Sequence, residues 1–202
     1  QWSTPEIASY PWFEPFGIHL SFITDGLSLF FFFLITGFGV LVNLYAQWYM
    51  NSEDTSLKRF YSSMTFFIFF MLGTVFSVNL MVLFLFWELT GFASFLLIGY
   101  GYQSKKVVDS AKMAFLVTSL TGLALFAGII LLSQIYGTFE WTTIVQNKSL
   151  FLENRQLAQI IIFLFVIGIF GKSAQFPFHF WLPNAMVAPT PVIAYLHSAS
   201  MV

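Results

Sequence analysis

Two charged residues stand where an apolar chain should hold none. Glu88 lies within Phe86-Trp87-Glu88-Leu89-Thr90, near the middle of a long hydrophobic stretch, and Lys172 ends another at Gly171-Lys172-Ser173. A charge facing lipid at the centre of a span costs about 2.5–3.5 kcal/mol on insertion scales, so each should face the interior of a bundle or a hydrated cavity. A carboxyl pulled between burial and a neighbouring cation can take up and release a proton. A desolvated lysine can give its proton away, which a relay through a membrane requires. The plainer readings are a permanently charged Glu88 that pins two helices, and a Lys172 whose stem snorkels to the interface. His197 and His179 supply the side chain whose proton moves most readily near neutral pH. For His179 a hydrogen bond that orients a loop is the plainer alternative. The candidate proton-handling residues are therefore Glu88, Lys172, His197 and His179.

Other charged positions carry less chemistry. Asp25 precedes Gly26 and is first a helix-capping residue. Asp109 and Lys112 mark the start of an apolar run, where an interfacial role is the simple expectation. The sequence has no Cys, which excludes disulfides and thiolate metal clusters. No HExxH pattern occurs, no glycine-rich nucleotide loop follows a plausible strand, and the three His form no close pair on one helix face. No metal and no cofactor are expected. A net charge of −1 argues against a nucleic-acid partner.

The elements that must position these groups are membrane helices. Of 202 residues, 58% are hydrophobic and 8% are Asp, Glu, Lys or Arg, too little polar surface to cover a soluble core. The pattern predicts an all-α, polytopic transmembrane bundle forming one domain over 1–202, with the lipid bilayer as its solvent. Spans are expected at 26–48, 63–77, 79–100 and 111–134, each long enough or nearly so for a ~30 Å hydrocarbon core. The stretch from 63 to 101 is too long for one ordinary span, and Ser77-Val78-Asn79 is the natural turn within it, with Asn as a cap. Residues 1–25, with Pro5, Pro11 and Pro15 among aromatics, read as an interfacial or extracytoplasmic loop. Residues 49–62, 102–110 and 135–156 read as polar loops. The positive-inside rule places the loops holding Lys58, Arg59, Lys105 and Lys106 in the cytoplasm, opposite Lys148 and Arg155.

The span at 157–171 should be broken. Lys172 comes roughly 15 residues, or ~23 Å of helix, into its run, and Pro177 disfavours helix at Phe176. A half-helix followed by irregular backbone and a short helix over 177–187 is expected, an arrangement tolerated at membrane depth only where protein or water lines it. Pro189 and Pro191 then open a last helix over 190–202. The chain begins with Gln1 and stops inside an apolar segment, as a fragment of a longer protein would.

At these residues the sequence resembles the antiporter-like subunits. That superfamily contains the large A-type component of the multisubunit Na⁺/H⁺ (Mrp-type) antiporter and the large membrane subunit of respiratory complex I. The resemblance rests on Phe86-Trp87-Glu88-Leu89-Thr90 with Ser94 to Tyr100, and on Gly171-Lys172-Ser173-Ala174-Gln175-Phe176-Pro177-Phe178-His179. Trp181-Leu182-Pro183, Ala188-Pro189-Thr190-Pro191 and Tyr195-Leu196-His197-Ser198-Ala199 continue it. It covers nearly the whole chain. It implies a coupled proton-handling pair at Glu88 and Lys172, with His197 leading towards a later lysine beyond Val202. Asn184 stands where such proteins usually have Asp, which puts a charged role there in doubt. The Phe-Pro-Phe-His form, the Tyr-Leu-His-Ser and Ser119-Leu120-Thr121-Gly122 are more similar to the antiporter branch.

The function this implies is a proton-translocating subunit of a Na⁺/H⁺ antiporter in a bacterial cytoplasmic membrane. Its partners would be other membrane subunits, protons and Na⁺, and it would be a transporter rather than an enzyme. The alternatives are a proton-pumping subunit of an NADH:quinone oxidoreductase and a membrane scaffold in which Glu88 and Lys172 form a fixed ion pair.

Overall fold

A computed structural model describes residues 6–50, 57–147 and 149–200. Glu53, Asp54 and Lys148 of the expected loops lie outside the described residues, as does the side chain of His197. The chain opens on a β-hairpin. Strand β1 (Glu6–Phe13) pairs antiparallel with β2 (Ile18–Thr24), with Glu6 opposite Thr24 and an irregularity between Pro11 and Phe13. Over 6–24 this corrects the expectation of a loop, while residues 1–5 lie outside the described residues. The connection is a 3₁₀ turn, Glu14–Phe16, closed by Gly17 at φ 64°, a backbone region glycine enters without a Cβ penalty.

Five helices are long and apolar enough to cross a membrane: α1 (Gly26–Tyr49), α2 (Leu57–Phe76), α3 (Leu80–Ile98) with the 3₁₀ turn that follows it (Gly99–Gly101), α4 (Lys105–Tyr136) and α7 (Arg155–Lys172). Between α4 and α7 stand the short helices α5 (Trp141–Gln146) and α6 (Ser149–Glu153), where the sequence alone suggested a loop. After α7 come a 3₁₀ turn (Phe178–Phe180), α8 (Trp181–Ala185) and α9 (Thr190–Ser200). The fold is a polytopic transmembrane helical bundle with a broken helix.

Local chemistry accounts for where the helices start and stop. Asp25 caps α1: its Oδ1 accepts the Ser28 N–H at 2.7 Å, and its own N–H donates to Ser28 Oγ at 2.9 Å. Donation to the carboxyl, from the Ser28 N–H first and its hydroxyl next, holds Asp25 below the usual carboxylate range. Asn79 caps α3 by accepting the Met81 N–H at 3.0 Å. Helices α2 and α4 begin at Leu57 and Lys105, so Lys58, Arg59, Lys105, Lys106 and Asp109 are helical rather than loop residues. The physical reason is length. At 1.5 Å per residue α4 spans ~48 Å against a ~30 Å hydrocarbon core, so its charged first turns continue the helix beyond the lipid. Lys112 and Asp109 are exposed there.

The hairpin is fastened to the bundle by a polar clasp. Ser21 and Asn79, both buried, donate to the same Glu140 oxygen, each at 2.9 Å. Around it the Val78 N–H reaches Ser21 O, the Leu80 N–H reaches Phe139 O, and the Trp141 N–H reaches Val78 O. Three segments far apart in sequence thus meet at one end of the bundle. Elsewhere Arg59 of α2 ties to the turn after α3, donating to Gly99 O at 3.3 Å and lying over the Tyr102 ring.

Two apolar cores position the site. One joins Phe60, Met64, Phe67, Leu97, Trp181, Val192 and Tyr195, and the Tyr195 hydroxyl donates to Ile35 O at 2.9 Å, tying α9 to α1. The other joins Leu80, Leu125, Ile129, Leu132, Ile144 and Ile161 between α3, α4, α5 and α7. Helices α4 and α7 pack closely because glycines line their contact: a Cβ at Gly168 would stand 2.7 Å from Leu125 Cβ, and one at Gly171 would overlap the Thr121 side chain.

Candidate functional site

Helix α7 ends at Lys172, and the backbone then leaves helical geometry, with Ala174 at φ 51°. The carbonyls exposed by such an ending need donors. The Ser173 N–H bonds Ile169 O, the Gln175 N–H bonds Phe170 O, and the buried Trp181 indole N–H donates to Gly171 O at 3.0 Å. The tryptophan of α8 thus closes the open end of α7. Lys172 sits in the last turn, where the helix dipole favours a cation.

The terminal nitrogen of Lys172 reaches across to α3. It donates to Trp87 O at 3.0 Å and to Thr90 Oγ1 at 2.7 Å, and lies 5.3 Å from the centre of the Trp87 ring. Trp87 and Thr90 flank Glu88 in sequence. The Glu88 carboxylate is seated on α4: Ser119 donates to it, and the space it fills lies against Gly122, where a Cβ would collide with it. Glu88 is thus held by Ser119 and Gly122 of α4, and Lys172 by Thr90 and the Trp87 carbonyl of α3. The two charges act on one another electrostatically.

Two spaces adjoin the pair. Lys172 lines a narrow cavity of about 30 Å³ together with Ser94, Thr118, Trp181, Ile193 and Leu196. About 10–15 Å³ suffices for one water, so the cavity has room for hydration beside Lys172. Its walls come from α3, α4, α7, α8 and α9, and it extends from Lys172 to the face of α9 at Leu196. Ser94 and Thr118 donate their protons to carbonyls of their own helices, leaving hydroxyl lone pairs to accept. Glu88 instead borders an open groove of about 390 Å³ under the hairpin, lined by Trp12, Phe13, Ile18, Phe84 and Phe126. That groove is apolar.

The structure brings Glu88 and Lys172 together. His197 is carried by α9, the helix that closes the far side of the cavity. His179 is not brought to the pair: it is exposed in the 3₁₀ turn after the break and stacks on Phe176 with ring centres 5.9 Å apart. Asn184 donates to Phe180 O at 2.7 Å and is exposed. Thr90, Ser119 and Gly122 have no role at the site in a reading of the sequence alone. The one signal available was spacing: Ser119 and Gly122 lie three apart and share a helix face. Among the described residues no cluster of His, Asp and Glu could hold a metal ion.

Known proteins resemble this chain. Residues 77–202 match the family described as NADH:quinone oxidoreductase/Mrp antiporter, transmembrane. Residues 12–61 match the family described as NADH-ubiquinone oxidoreductase (complex I), chain 5 N-terminus. The chain is 47% identical over 192 residues to the A-type component of a Na⁺/H⁺ antiporter of Alkalihalophilus pseudofirmus, covering 95% of this chain and 24% of that protein. It is 46% identical over 191 residues to the A/B-type component of a probable K⁺/H⁺ antiporter of Rhizobium meliloti, covering 95% of this chain and 19% of that protein. A solved Mrp complex from Dietzia sp. superposes with a TM-score of 0.90 at 36% identity, over 98% of this chain and 22% of the matched one. The chain thus spans about a quarter or less of the length of these relatives. With the family match running from the α2–α3 turn through Glu88, Lys172 and α9, the chain belongs to the NADH:quinone oxidoreductase/Mrp antiporter transmembrane family.

Proposed function

We propose that this chain is the proton-handling part of a cation/proton antiporter subunit, working beside other membrane subunits in a bacterial cytoplasmic membrane. A proton is held by the Glu88–Lys172 pair and passes from Lys172 through the adjoining cavity towards α9 and His197. The flux is coupled to Na⁺ export. One observation carries the reading: Lys172 is bonded to the residues flanking Glu88 and also lines a cavity that ends on α9. A static ion pair needs neither the interrupted backbone after Gly171 nor the cavity beyond it.

The named relatives favour the antiporter branch, with one called a Na⁺/H⁺ and another a K⁺/H⁺ antiporter component. The test is made on everted vesicles carrying the full-length protein in its complex, energised without NADH. Adding Na⁺ is expected to dissipate the pH gradient. A response to K⁺ alone would retain the proton path and replace the cation. Proton movement that appears only during NADH oxidation would contradict the antiporter reading and place the chain in the quinone-oxidoreductase branch.

A further inference from the structure

We propose that Thr90 is a positioning residue that holds the Lys172 nitrogen in both of its protonation states; this rests on Lys172 being a working proton carrier. Thr90 is 1% exposed. Its hydroxyl accepts from Lys172 Nζ at 2.7 Å and donates to Trp87 O at 2.7 Å, while Nζ also donates to Trp87 O at 3.0 Å. Nitrogen, hydroxyl and carbonyl form a closed three-membered arrangement.

The chemistry of the three groups differs. A carbonyl only accepts. An ammonium has three N–H donors and no lone pair, whereas the amine left after proton loss has two donors and one lone pair. A hydroxyl donates or accepts according to rotation about its C–O bond. With Lys172 charged, the hydroxyl accepts from Nζ and gives its hydrogen to Trp87 O, an arrangement that the two 2.7 Å distances fit. When Nζ releases its proton to water in the cavity, the hydroxyl turns its O–H to the new lone pair. A remaining N–H keeps Trp87 O satisfied. Thr90 retains its own proton throughout and no heavy atom has to move.

Among the described residues, the side-chain hydroxyl bonded to Nζ is that of Thr90. Glu88 is the titratable group on α3 that acts on Lys172. The other polar cavity groups, Ser94 on α3 and Thr118 on α4, already donate to their own helices, and α8 and α9 contribute Trp181, Leu182, Ile193 and Leu196. Losing the hydroxyl would therefore take an acceptor from the charged state of Lys172 and a donor from the neutral one, which slows the exchange between them.

Thr90→Val keeps the shape and removes the hydroxyl, whereas Thr90→Ser keeps the hydroxyl and removes the methyl. In full-length complexes assembled at wild-type level, cation-driven proton flux is expected to fall at least about tenfold with valine, the size a hydrogen bond to a charged group supports. Serine is expected to stay within about twofold to threefold of wild type. Should the valine variant fail to assemble, Thr90→Ala removes the same hydroxyl and is expected to show the same loss. Normal flux with valine, or serine as impaired as valine, would overturn the inference and leave Thr90 a packing residue. Lys172→Ala measured alongside separates the two claims. If it transports normally the functional reading fails, and if it is inactive while valine at 90 is active only the role of Thr90 fails.

Discussion

Glu88→Gln is expected to lower cation-driven proton flux by roughly 100-fold or more, the lower range of what a positioned proton-transfer group contributes, while the protein still accumulates in the membrane. Glutamine has nearly the same shape, fits the space against Gly122, and can still accept from Ser119. It lacks the charge that acts on Lys172 and cannot exchange a proton. Packing is thus preserved and the proposed chemistry is removed. The check is flux in vesicles normalised to complex content on blots. Flux near wild type with glutamine would leave Glu88 only a packing role and remove it from the path.

Gly171→Ala is expected to destabilise the bundle by about 1–3 kcal/mol, the cost of overpacking a filled interface. A Cβ there would overlap Thr121, including its Cβ, an atom fixed to the α4 backbone. Relief requires the two helices to part, and Lys172 is the next residue on the moving helix. A lower midpoint of thermal unfolding in detergent, accompanied by loss of flux, is the expected pair of results. Gly37→Ala is the control, because a Cβ at Gly37 meets nothing within 4 Å. Equal stability of the two variants would show that α4 and α7 do not depend on this close approach.

What the sequence made legible follows from the bilayer's demands. A charge inside an apolar run must be explained, so Glu88 and Lys172 announced themselves from their surroundings alone. Pro177 and the polar residues after Gly171 marked the interruption of α7, because proline and lipid together forbid an ordinary continuation. Asn79 marked the α2–α3 turn by the same local logic, and Asp25 the start of α1.

Long-range partners were not legible. The clasp depends on Ser21, Asn79 and Glu140, whose meeting is decided by the tertiary fold and leaves no periodicity in the chain. The hairpin was hidden by Pro11 and Pro15, residues that normally argue against a strand. Charges at 58–59 and 105–109 mark the edge of the hydrocarbon rather than the ends of helices, which run on into water. Thr90, Ser119 and Gly122 matter through what faces them. A threonine, a serine and a glycine in a membrane helix are ordinary residues until the opposing side chain is known. His179 shows the converse, a residue type suited to proton transfer that the fold places away from the Glu88–Lys172 pair.

The most direct test of the proposed path is the Na⁺-induced change in pH gradient across everted vesicles, without NADH, with Lys172→Ala beside wild type in the intact complex. A Na⁺-dependent signal in the wild type that disappears in the variant, at equal complex content, is the predicted result. A signal of normal size from Lys172→Ala would contradict the account, because the residue that joins Glu88 to the cavity in the proposed path would then be dispensable.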